Sequence, residues 1–194
     1  MYIDHAVFRP IPITPKTYDM IFVGRLASNK GLDRLLAVFN TVEKNIPSVR
    51  LLILGSGPYG VRLARQIGHN PRITHIERVP LAADVALLYN RSRVAVCTSF
   101  SEGGPRYMVE AMACGVPAVS TSVGLMSELV RDGENGFLVD PLSVEIMAEH
   151  IVRILHLGEA YAIYSTNAVR AVSYFEYEKG IAEYARAYHE LIAV

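Results

Sequence analysis

The chain has 194 residues, enough to bury a full core and sized for one domain. Half of it is apolar, and 19 basic residues balance 19 acidic ones, which removes any electrostatic reason to expect non-specific nucleic-acid binding. No apolar run reaches the roughly 20 residues of a membrane span, and the N-terminus lacks a signal-peptide pattern.

In chain order, residues 1–17 carry Pro10, Pro12 and Pro15 and read as an extended linker ahead of a domain over residues 18–194. Asp19–Gly24 and Arg50–Gly55 are short apolar runs ended by glycine, the pattern of buried parallel strands. Between them Leu32, Leu35, Leu36, Phe39 and Val42 keep helical spacing, which predicts a helix over Leu32–Lys44. Further helices are predicted at Tyr59–Ile67, Ala82–Asn90, Pro105–Cys114 and Val144–Leu157, with strands at Ile73–Ile76, Val94–Cys97, Ala118–Ser120 and Gly136–Val139. Residues 158–194 read as helical with a break near Ser173–Phe175. Strands alternating with helices predict an α/β, Rossmann-like doubly wound parallel sheet. Ligands of such sheets bind beyond the carboxyl ends of the strands. Gly24-Arg25, Gly55-Ser56-Gly57, Arg78-Val79 and Ser101-Glu102 all fall at such ends, so the motifs converge on one rim.

The stretch from Ser101 to Ser120 sets Glu102 and Glu110 eight positions apart, around a Gly103-Gly104-Pro105 turn that opens a helix. A strand, a glycine turn and a helix start together make an anion site, because free N–H groups and the positive helix end point at one spot. At about 1.5 Å rise per residue the two carboxylates would lie on the order of 8–10 Å apart. That suits two hydroxyl-rich ends of a ligand with phosphate between them, the shape of a sugar nucleotide. Gly24, Arg25 and Lys30 form the best diphosphate candidate: glycine admits close backbone approach, and arginine offers a planar fork to phosphate oxygens. An ordinary turn with solvated charges is the plain alternative.

Other features carry less. Gly55-Ser56-Gly57-Pro58 lacks the third glycine of a dinucleotide fingerprint and reads as a strand-to-helix turn that shapes the pocket. The histidines His5, His69, His75, His150, His156 and His189 show no metal-ligand spacing, and no Asp-x-Asp or Gly-x-Ser-x-Gly motif occurs. No metal and no resident cofactor are expected. Cys97 and Cys114 read as free core thiols of a reducing, cytoplasmic protein. Tyr161, Tyr164, Tyr174, Tyr177, Tyr184 and Tyr188 form a helical stripe that reads as packing rather than a binding platform.

Four segments in order carry a family resemblance: Phe22–Gly31, Glu102-x7-Glu110, Ala111-Met-Ala-Cys-Gly-Val-Pro117 and Asp132–Val139. They resemble the donor-binding, C-terminal half of retaining GT-B glycosyltransferases of family 4. By that resemblance Arg25 and Lys30 neutralise the donor diphosphate, Glu102 binds hydroxyls of the transferred sugar, and Glu110 binds the ribose. The base would lie against Arg78 and Val79, and Gly24, Gly55, Gly103, Gly104, Arg106 and Tyr107 would complete the pocket. One departure is Glu102-Gly-Gly-Pro105 in place of the Glu-Gly-Phe-Gly of many relatives. Pro105 has no N–H, so donation to phosphate falls to Gly104, Arg106 and Tyr107.

The resemblance implies transfer of a hexose from a nucleoside diphosphate sugar to an acceptor hydroxyl. The segment Ile3–Pro10 resembles the stretch that leaves the N-terminal half of family members, so a missing acceptor-binding half is the expected partner. Any membrane contact, at the inner face, would be made through that half, and exposed C-terminal helices would favour weak self-association. A non-catalytic nucleotide-sugar-binding subunit and half of a GT-B nucleotide-sugar epimerase remain as alternatives. A dehydrogenase half does not fit, because Gly-x-Gly-x-x-Gly and the following acid are missing from the first strand.

Overall fold

Six strands run parallel in one sheet: β1 (Tyr18–Val23), β2 (Leu51–Leu54), β3 (Ile73–Ile76), β4 (Ser92–Cys97), β5 (Ala118–Thr121) and β6 (Gly136–Val139). Their spatial order is β3-β2-β1-β4-β5-β6. The helices are α1 (Leu32–Asn45), α2 (Gly60–Ile67), α3 (Ala82–Asn90), α4 (Arg106–Ala113), α5 (Met126–Leu129), α6 (Val144–Leu155) and α7 (Tyr161–Val172). The computed structural model describes residues 2–12, 14–139 and 143–175, with 182, 185, 186, 188 and 189 beyond them.

Strand side chains alternate between two buried layers, as a sheet covered on both faces requires. Met20, Phe22, Leu51, Ile53, Val94 and Val96 pack on the side of α1, α2 and α6. Ile21, Leu52, Leu54, Ala95 and Cys97 pack with α3, α4 and α7. All five apolar positions read from the spacing of α1 are buried, which is why that helix docks on one face. The doubly wound expectation therefore holds, and the order reverses between β1 and β4, the place where such sheets bind ligands.

The N-terminal segment expected as an extended linker is packed instead. Ile3 is fully buried and its N–H donates to the Phe175 carbonyl at 2.9 Å. Phe8 is buried with its ring 6.3 Å from that of Tyr89, and Asn90 brackets the chain by donating to the Arg9 carbonyl and accepting from the Ile11 N–H. The prolines signalled a non-regular backbone, whereas Ile3 and Phe8 supply the apolar surface that docks it. The one-turn helix α5 also escaped the periodicity reading, being too short to show a period. Within the tyrosine stripe, Tyr164 is buried and Tyr161 donates to the Arg93 carbonyl at 2.9 Å, while Tyr174 and Tyr188 are exposed. Tyr177 and Tyr184 lie outside the described residues. Both cysteines are free and buried.

Candidate donor-binding site

The loops after β1 and β4 are sewn together at the sheet's reversal point. After β1 the chain passes Gly24 and Arg25, makes a 3-10 turn at Ser28–Lys30, and enters α1 through Gly31 at φ 64°. A Cβ on Gly31 would sit 2.1 Å from the Thr98 carbonyl oxygen, so only glycine admits this approach. The Thr98 hydroxyl donates to the Lys30 carbonyl at 2.9 Å, and the Phe100 N–H donates to the Asn29 carbonyl at 2.8 Å.

These bonds bring Lys30 to Glu102. Lys30 Nζ and Glu102 Oε1 form an ion pair with both side chains 13% exposed. The Lys30 ammonium also lies 5.2 Å above the Tyr107 ring, a cation–π contact that holds the stem over the start of α4. Tyr107 in turn donates its hydroxyl to Cys97 Sγ at 3.0 Å, and its ring centroid is 6.0 Å from that of Phe22. Burial and the Cys97 sulfur raise the Tyr107 hydroxyl well above its ordinary range, so it stays a neutral donor.

Beside this cluster a cleft of about 330 Å³ opens across the ends of β1, β2 and β3. Gly24, Arg25, Gly55, Arg78 and Val79 all line it, together with Ser56, Glu77 and Val85. Its floor depends on Gly55, where an added Cβ would stand 1.9 Å from the Gly24 carbonyl oxygen. Cross-rim hydrogen bonds fix the two turns: Gly24 N–H to the Leu54 carbonyl, Leu26 N–H to the Ser56 carbonyl, each 2.9 Å. Arg25 is exposed on this rim. An arginine pair with small residues between them suits an anionic ligand.

In the loop before α4, Gly103 is exposed with open space around its Cα, and the Glu102–Gly103 carbonyls pack on Gly124. The Met108 N–H closes back on the Pro105 carbonyl at 2.8 Å. Arg106 and Tyr107 are the first residues of α4, so their N–H groups head the helix without intrahelical acceptors. The Arg106 side chain runs along the helix to Glu110, Nε to Oε1 at 2.9 Å, the i,i+4 pairing that its spacing favours. Burial raises the Glu110 carboxyl above its ordinary value, opposed by Arg106 and by the Tyr89 hydroxyl of α3.

The structure thus gathers the sequence candidates into three adjoining groups: the cleft, the Lys30–Glu102–Tyr107 cluster, and the Arg106–Glu110 pair. Sequence reasoning missed Ser99, Glu77, Val85 and Tyr89. Ser99 had a signal in its position two residues past a buried strand, but a lone serine has no spacing to reveal it. Among the described residues no group of His, Cys, Asp or Glu is placed to hold a metal ion, and no helix is long and apolar enough to cross a membrane.

Residues 5–171 match the family described as glycosyl transferases group 1. The D-inositol 3-phosphate glycosyltransferases of Mycobacterium bovis and Mycobacterium tuberculosis are 31% identical over 215 residues, covering 97% of this chain. The chain spans 43% of the length of these relatives. Among solved structures, sucrose-phosphate synthase from Thermosynechococcus elongatus superimposes with a TM-score of 0.86 at 25% identity, over 99% of this chain and 51% of that one. Anabaena Alr3699/HepE, solved in complex with UDP and glucose, gives 0.78 at 22% identity, over 95% of this chain and 55% of that one. The chain belongs to the glycosyl transferases group 1 family and has the fold of the C-terminal, Rossmann-like domain of a GT-B glycosyltransferase.

Proposed function

We propose that this chain binds the nucleoside diphosphate sugar of a retaining glycosyltransferase, which moves a hexose to an acceptor hydroxyl. The observation that carries the reading is the meeting of Lys30 and Glu102 at the reversal point of the sheet, with Arg25 lining the adjoining cleft. A cation for phosphate and an acceptor for sugar hydroxyls then stand side by side, as a sugar diphosphate requires. The base lies in the cleft by Arg78 and Val79, the ribose hydroxyls donate to Glu110, and the sugar hydroxyls donate to Glu102.

In the reaction the bond between the anomeric carbon and the diphosphate oxygen breaks and its electron pair stays on the diphosphate, while the acceptor oxygen bonds to the anomeric carbon and its proton passes to the departing diphosphate. Negative charge develops there. Arg25, Lys30 and the N–H groups of Gly104, Arg106 and Tyr107 stand ready to meet it, and stabilising that charge is where such sites lower the barrier. The acceptor hydroxyl arrives from a further domain, consistent with relatives more than twice the matched length. By itself the chain binds donor with little or no transfer, and any membrane contact, at the cytoplasmic face, is made by that further domain.

Titration calorimetry of the chain with UDP, GDP and ADP tests the reading. UDP is the first probe because the Anabaena neighbour was solved with it. Saturable binding of one nucleotide, lost in Lys30→Ala, is expected; a folded chain that binds none of the three would end the proposal.

A further inference from the structure

Glu102 is anchored through one carboxylate oxygen. Oε1 takes the Lys30 ammonium and, at 2.9 Å, the hydroxyl of Ser99. Among the described residues no donor reaches Oε2. Two donors on a single oxygen fix the roll of the carboxylate and leave its second oxygen for an incoming hydroxyl.

Ser99 is built to hold its share of this contact. It lies two residues beyond β4, is fully buried, and its carbonyl accepts the Thr121 hydroxyl of β5 at 2.8 Å. The proton assignments follow from its neighbours. A carboxylate only accepts, so the Ser99 hydrogen goes to Glu102. The Tyr107 hydroxyl, 3.5 Å from Ser99 Oγ, commits its own hydrogen to Cys97 Sγ. Lys30 differs: its ammonium sits on a flexible four-carbon stem and serves any phosphate that arrives. When a diphosphate draws on Lys30, Ser99 is the fixed donor that remains.

We propose that Ser99 is the positioning residue of Glu102, holding Oε1 so that Oε2 faces a hydroxyl of the donor's sugar. The inference rests on the donor-binding reading above and adds to it the residue that makes the sugar count in binding. Ser99 itself touches no part of the donor.

The readout is the ratio of affinities for a sugar nucleotide and its bare nucleoside diphosphate, which isolates the sugar contact. Wild type, Ser99→Ala and Ser99→Cys are titrated with UDP and UDP-glucose, GDP and GDP-mannose, and ADP and ADP-glucose. Ser99→Cys keeps the side-chain volume but offers only a weak donor, so it separates the hydrogen bond from packing. Both variants should lower the ratio by about tenfold while bare diphosphate binding moves less than about twofold, a loss in line with one charge-assisted hydrogen bond. Retained diphosphate binding also shows that a variant is folded, and if Ser99→Ala is not, Ser99→Cys carries the measurement. In a Glu102→Ala background Ser99→Ala should change the ratio no further. An unchanged ratio in Ser99→Cys, additive losses with Glu102→Ala, or a wild-type ratio of one would each overturn the assignment while leaving nucleotide binding intact. Absence of nucleotide binding by wild type would instead remove the donor reading, and this inference with it.

Discussion

Lys30 and Glu102 stand 72 positions apart in the chain, yet their side chains meet in an ion pair where the order of the sheet reverses. Lys30 enters from the loop after β1 and Glu102 from the loop after β4, so the pair reports directly on the docking of the two loops. Each is largely shielded from water, which makes loss of one partner costly to the other. Lys30→Ala leaves Glu102 held by Ser99 alone and should destabilise the fold by about 1–2 kcal/mol. Urea unfolding measures it, and adding Glu102→Gln should recover part of the loss.

The glycines of the rim differ sharply in what they can bear. A Cβ on Gly55 collides with backbone at 1.9 Å, and the residue sits at φ 148°. Gly55→Ala should therefore cost at least about 2 kcal/mol and weaken nucleotide binding by disturbing the cleft floor. Gly103 meets nothing within 4 Å and has no positive φ, so Gly103→Ala should stay within about 0.5 kcal/mol of wild type. Equal losses at the two positions would contradict the geometry described for the rim.

Burial places the Glu110 carboxyl above its ordinary value of 4.5. A raised acid contributes stability that is fully present below the unfolded value and lost as pH rises through the folded one. Glu110→Gln should therefore gain stability relative to wild type at neutral pH, and the gain should vanish on acidification. Nucleotide affinity runs the other way, because the ribose needs an ionised acceptor. It should fall with acidification from a pH above 4.5, and Glu110→Gln should flatten that limb of the profile.

Lys16 lies at the opposite end of β4, where its ammonium donates to the Ser92 carbonyl at 2.9 Å beneath the Tyr161 ring. Burial lowers its pKa from 10.5 to about 8. Between those values the unfolded chain holds a proton that the folded chain has released, so this group makes stability rise with pH. The buried thiol of Cys114 opposes the trend from its unfolded value of 9.0 upward. The test is thus the difference between wild type and Lys16→Met, which should narrow as pH rises from about 8 towards 10.5. A difference independent of pH would mean that Lys16 is not desolvated.

Much of this was legible in the residues. The period of Leu32, Leu35, Leu36, Phe39 and Val42 placed α1, and the glycines ending the apolar runs placed the rim of the sheet. Glu102 and Glu110 announced themselves by spacing, as did Arg25 and Lys30 by following a strand and its glycine. Partnerships were not legible. Nothing in the sequence says that Lys30 bonds Glu102, because that pair depends on packing between loops 72 positions apart. The Ser99 contact depends on the local course of the loop after β4, and the Arg106–Glu110 pair, four apart on one helix, competes with a solvent-exposed rotamer. The N-terminal segment failed for a related reason: its prolines mark irregular backbone, but the docking of Ile3 and Phe8 is decided by cavities offered by α3, α4 and α7.

Whether Arg25 and Lys30 hold a diphosphate is decided by a single comparison. Affinities for the diphosphate and monophosphate of one base (UDP and UMP first, then GDP and GMP, ADP and AMP) are measured for wild type and Arg25→Ala. Wild type should prefer the diphosphate by about tenfold or more, and the preference should shrink to about threefold or less in Arg25→Ala, since the arginine acts on the phosphate that the monophosphate lacks. A variant that weakens both nucleotides by the same factor, keeping the preference intact, would contradict the placement of the diphosphate at this rim.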